Sequence, residues 1–171
     1  MRGAPCPPAM KAFQDTYPDE LAHCFGCGRL NAEGHHLRSF WDGEETAARF
    51  TPKPFHLAVP GFVNGGLLAS LIDCHATGTA AAAAGRAAGV EAGNGPLPRF
   101  VTASLRVDYL RPTPLGPELN LRGRTASVSD RKVVVNVTVA ANGEVTVRGE
   151  VVCVRLPESM RPPGGFGVNT R

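Results

Sequence analysis

The stretch from Leu67 to Ala84 most narrows what this chain can fold into: it is apolar, rich in alanine, and interrupted by Asp73 and His75. At about 100° per residue, Leu67, Leu68, Leu71, Ile72, Cys74 and Gly78 fall on one side of a helix. Gly66, Ala69, Asp73, Ala76, Thr77 and Ala80 take the other. Neither side is polar as a surface helix requires, so the helix must be buried around most of its circumference. No aromatic or basic anchors flank it, which argues against a membrane span and for the centre of a soluble domain. Asn64 is a favoured N-cap residue, the helix is expected to run to about Ala84, and the glycine-rich run from Gly85 to Gly95 ends it.

The remainder reads as sheet. His36 to Trp41 and Thr46 to Thr51 flank Asp42-Gly43, a hairpin signal. Beyond the helix, Phe100 to Leu110 alternates, with Val101, Ala103, Leu105, Val107 and Tyr109 on one face and Thr102, Ser104, Arg106 and Asp108 on the other. Leu119 to Val128, Lys132 to Ala140 and Val145 to Arg155 follow, and Asn142-Gly143 predicts a type I′ hairpin between the last two. Two strands, one helix and four strands joined by tight turns imply an α+β fold: a mainly antiparallel sheet wrapped around a single helix. The chain of 171 residues suits one domain, placed at residues 22–156. The Pro-rich residues 1–21 are expected to form a loose arm or a short docking segment, and residues 157–171, rich in Pro and Gly, a poorly ordered tail.

Hydrophobic residues at 43% and charged residues at 19% are globular proportions, and a net charge of +3 spread along the chain excludes a nucleic-acid surface. Met1 to Tyr17 has no apolar run after Arg2, so no secretory leader is expected. Five cysteines without a framework spacing point to reduced thiols and a cytoplasmic setting. Cys24-x-x-Cys27 lies near His23, His35 and His36, but no second Cys pair accompanies it. A glycine-rich turn is therefore expected there rather than a metal site. Cys6, Cys74 and Cys153 read as packing or surface residues, and His75 as a satisfied core histidine.

Asp73 is the odd residue on the helix. A carboxylate there costs several kcal/mol unless it is paired or hydrogen-bonded. It either fixes packing through a buried hydroxyl or backbone group, or works as a general base or nucleophile with a raised pKa. Two turns earlier Gly65-Gly66 opens the same helix, where free N–H groups and the positive end of the dipole converge and no Cβ blocks a carbonyl. Such a helix start can hold an oxyanion, with Asp73 expected within reach of the mouth of its own helix.

The run Pro60-Gly61-Phe62-Val63-Asn64-Gly65-Gly66-Leu67-Leu68-Ala69-Ser70-Leu71-Ile72-Asp73 resembles the signature of hotdog-fold thioesterases of the 4-hydroxybenzoyl-CoA and PaaI-like type. So does the block from Val101 to Pro112, which is similar to the family's strand ending in Tyr-x-x-Pro, and so does Cys24-Phe25-Gly26-Cys27-Gly28. This resemblance implies a hotdog fold and hydrolysis of an acyl- or aroyl-CoA thioester, with coenzyme A entering only as part of the substrate and no cofactor. It implies that Asp73 activates water or attacks the thioester, and that Gly65, with Gly66, polarises the carbonyl. Thr102 would bring a hydroxyl from a partner subunit, and Thr77 a second one. Sites shared across a homodimer or homotetramer follow from the same resemblance. The family's His before Gly-Gly is Asn64 here, which can cap and hydrogen-bond but cannot act as an acid or base near pH 7. His56 in the preceding loop would supply a polar group, and Arg111, Arg131 and Lys132 would meet the phosphates of coenzyme A. Two other readings share the fold: a non-catalytic acyl-CoA-binding protein, and a hydratase or dehydratase, whose chemistry pairs an acid with a site histidine.

Overall fold

The structure, a computed structural model, describes residues 11–161, so Cys6 and the ends of the expected arm and tail lie outside the described residues. Its one α-helix, α1 (Gly65–Ala87), lies against a six-stranded sheet. The strands are β1 (Ser39–Asp42), β2 (Glu45–Phe50), β3 (Phe100–Tyr109), β4 (Leu119–Val128), β5 (Lys132–Ala141) and β6 (Glu144–Arg155). They run in the order β1-β2-β4-β5-β6-β3, and every neighbouring pair is antiparallel. Asn142 and Gly143 both take positive φ, as a type I′ turn between β5 and β6 demands.

The alternation of β4, β5 and β6 turns Leu119, Leu121, Val133, Val135, Val137, Val139, Val147 and Val151 onto the helix, and all are fully buried. Against them pack Leu68, Leu71 and Ile72 and a floor of alanines from Ala76 to Ala84. α1 satisfies the length and composition of a membrane span, but most of it is enclosed by the rest of the protein, as a core helix should be. It continues three residues past the expected Ala84, with Gly85 packed beneath Leu97.

Small residues let the helix approach the sheet this closely. A Cβ on Gly149 of β6 would sit 2.6 Å from Ile72, and one on Gly123 of β4 would sit 2.5 Å from the Thr46 hydroxyl. Beside Gly123 the core is polar and fully satisfied: His75 shares hydrogen bonds with Ser39 at 2.9 Å and Thr46 at 3.2 Å, and Gln14 and Thr79 complete the network. Burial holds the His75 pKa down to about 4, so the ring is neutral, as expected of a core histidine. Residues 11–21 are anchored to this domain, with Phe13 and Tyr17 buried and Phe13 edge-on to Trp41 at 5.6 Å.

Candidate active site

Asn64 caps α1 as its residue type predicts, accepting the Gly66 N–H at 2.8 Å and the Leu67 N–H at 3.2 Å on Oδ1. That use of the cap consumes one of the two amides expected to face a substrate. Gly66 is committed to Asn64, whereas no hydrogen bond among the described residues uses the N–H of Gly65. The Gly65 carbonyl in turn accepts from Tyr109 Oη at 2.7 Å, and the Tyr109 ring would meet a Cβ on Gly65 at 3.3 Å. Val59, Phe62, Tyr109, Leu110 and Arg111 line an open groove of about 700 Å³ over Gly65 and Gly66.

Asp73 lies two turns further along, half-buried, with Thr102 Oγ1 donating to its Oδ1 in a short hydrogen bond. Burial raises the carboxyl pKa, and the Thr102 hydrogen bond opposes that shift by favouring the charged form. Cys153 is beside it, its thiol pushed up to about 12 by burial and by the carboxylate. Thr102 meets Asp73 within its own chain. It can do so because a bulge between Thr102 and Ser104 breaks the expected alternation: Phe100 is buried and Thr102 reaches the helix, while beyond the bulge Val107 is half-buried and Tyr109, though exposed, reaches the start of α1. Contrary to expectation, Asp73 does not reach the mouth of its own helix. Eight residues of α-helix separate it from Gly65, about 12 Å along the axis.

The remaining sequence candidates are scattered. Thr77 is buried and its hydroxyl donates to the Asp73 and Cys74 carbonyls at 3.1 and 3.2 Å, a bond inside the helix rather than toward a substrate. His56 sits next to the site: its carbonyl accepts the Asn64 N–H at 2.9 Å, and its Nδ1 accepts the Lys53 N–H at 3.0 Å. Its ring stacks among His35, Phe50 and Phe55, and partial burial together with Lys53 lowers its pKa. Arg111 lines the groove and pairs with Glu144. Arg131 and Lys132 do not join it: they form the β4–β5 turn beside Val154 and Arg155, roughly 25–30 Å along β6 from Arg111. Sequence reasoning missed Tyr109 as a site residue; its signal was its place at the strand end directly before the Pro-broken turn.

A family model described as the thioesterase superfamily matches residues 60–152. A crystal structure of a thioesterase superfamily protein from Shewanella loihica PV-4 is 49% identical, covering 84% of this chain and 99% of that one, with a TM-score of 0.64. The PaaI protein from the phenylacetic acid degradation operon of E. coli is 15% identical over 72% of this chain and 81% of its own, TM-score 0.58. A Streptococcus mutans protein bound to acetyl CoA is 18% identical over 70% of this chain and 88% of its own, TM-score 0.56. No curated protein matches the chain.

Proposed function

Because the chain belongs to the thioesterase superfamily and has its hotdog fold, we propose that it hydrolyses an acyl- or aroyl-CoA thioester to the free acid and coenzyme A. The thioester carbonyl is taken up at the start of α1, where the Gly65 N–H and the helix dipole stabilise the developing oxyanion. Asp73, oriented by Thr102, either deprotonates the attacking water or attacks the carbonyl itself to form an anhydride that water resolves.

One observation carries this reading: a free amide at the helix mouth and a half-buried, hydroxyl-oriented carboxylate on the same helix. Since about 12 Å of helix separates them, the reaction needs a second copy whose helix runs antiparallel to the first and brings each Asp73 to the other's Gly65. Exposed Val59, Phe62, Tyr109 and Leu110 around Gly65 are the kind of surface such a pairing covers. Arg111 at the groove suits coenzyme A phosphate oxygens, and the acetyl CoA held by the Streptococcus mutans relative is consistent with that ligand class.

The test is a panel of aliphatic and aromatic CoA thioesters followed by release of free thiol, with Asp73→Asn beside the wild type. Asp73→Asn is expected to keep fold and assembly and to lose about 10²–10⁴-fold in kcat. Undiminished turnover in that variant would remove Asp73 from the mechanism. Tight binding of every thioester without thiol release by the wild type would instead make this a non-catalytic acyl-CoA-binding protein, the reading that Asn64 in place of histidine favours.

A further inference from the structure

The turn Cys24-Phe25-Gly26-Cys27-Gly28 is folded tightly, with the Gly28 N–H donating to the Cys24 carbonyl at 2.8 Å and the Leu37 N–H to the Gly26 carbonyl at 3.0 Å. It presses onto α1 at one point. A Cβ on Gly26 would sit 2.2 Å from Cys74 Sγ, so only glycine lets the turn approach the helix this closely. The approach gathers three thiols from two distant segments: the Sγ atoms of Cys24, Cys27 and Cys74 all lie within 4.8 Å of one another, with Cys24 and Cys74 3.7 Å apart.

Two neighbouring polar atoms are also unexplained. Arg99 Nη1 and Tyr17 Oη are buried and have no hydrogen-bond partner. The guanidinium stacks on the Tyr17 ring at 4.2 Å, and its charge acts on all three cysteines. Arg99 is half-buried and its charge also reaches the Asp73 carboxylate, but its buried Nη1 makes no hydrogen bond to any acceptor, which leaves room for a further negative group beside it.

We propose that Cys24, Cys27 and Cys74 bind one thiophilic divalent cation, Zn²⁺, with its fourth position open to water or an exogenous ligand. The spacing fits: tetrahedral Zn²⁺ with Zn–S bonds of about 2.3 Å holds its sulfurs about 3.8 Å apart. The charge fits as well, since three thiolates around a divalent ion leave one negative charge, which the Arg99 guanidinium neutralises. A monovalent ion would leave the buried site anionic. Binding exchanges the S–H protons for Zn–S bonds, releases those protons to solvent and changes no oxidation state. Cys24, the most exposed of the three, is where the ion enters. The site is independent of whether the chain hydrolyses a thioester.

Full-length protein, reduced and stripped with a chelator, is titrated with Zn²⁺ against a chromophoric competitor and separately with Co²⁺. The expected result is one Zn²⁺ per chain and a thiolate-to-cobalt charge-transfer band. Cys27→Ser should weaken Zn²⁺ binding by at least about 100-fold, while Cys153→Ser binds as the wild type does. Folded wild type that takes up no stoichiometric Zn²⁺ and shows no cobalt–thiolate band overturns the proposal, as does an equal loss in Cys153→Ser. Should Cys27→Ser not fold, alkylation of Cys24 in the wild type decides. Zn²⁺, and not Mg²⁺, should slow it at least about tenfold, and equal rates with both ions count against the site.

Discussion

At the mouth of α1, Asn64 takes the amides of Gly66 and Leu67 and leaves that of Gly65, so the electrostatics of the proposed site come down to one donor and the end of a dipole. In the proposed mechanism Asn64 therefore serves stability and catalysis through different properties. Its carbonyl oxygen caps the helix, and its neutrality leaves the positive end of the dipole available to an oxyanion. Asn64→Asp separates the two. The carboxylate still caps, and a negative charge at a helix start is worth about 0.3–1 kcal/mol, so the melting temperature should hold or rise. The same charge sits against the developing oxyanion, so kcat should fall by about tenfold or more. Thermal melts and thiol-release kinetics on one preparation check both; an unchanged kcat would move the oxyanion away from the helix mouth.

Among the elements, β3 and α1 determine what the site can be. The bulge at Thr102/Ser104 lets one strand place Thr102 on Asp73 and, seven residues later, Tyr109 on Gly65. A strictly alternating strand would have turned one of the two away from the helix. The helix itself depends on missing side chains across from it. Gly149→Ala drives a Cβ to 2.6 Å from the β-branched Ile72, which cannot swing aside without displacing the core. Overpacking of this kind costs about 1–3 kcal/mol. In a chain of this size that is a drop of roughly 3–10 °C in melting temperature, readable by calorimetry. An unchanged melting temperature would mean that α1 rides further from β6 than the structure has it.

For the whole molecule, the proposed reaction must bridge the 12 Å between Gly65 and Asp73 by assembly, and pairing two defective chains tests this. Gly65→Pro removes the one free amide while keeping the helix, because proline is tolerated at the first helical position and Asn64, at φ −61° and ψ 131°, already has the backbone that a residue before proline needs. Co-expressed with Asp73→Asn, it should restore about a quarter of wild-type hydrolysis, since half the dimers are mixed and each mixed dimer has one intact site. Activity no higher than that of either variant alone would mean that each site is built within one chain. Much of this architecture was legible in the sequence. Hydrophobic periodicity, the turn chemistry of Asn142-Gly143 and the capping preference of Asn64 are local properties, and they determined the elements, their order, the buried helix and the odd carboxylate within it. Whether Asp73 and Gly65 share a site, whether Thr102 belongs to the same chain, and that Cys74 joins Cys24 and Cys27 depend on helix rise, one strand bulge and the close approach of Gly26. Those are distances between segments far apart in the chain, which periodicity does not encode and only packing decides.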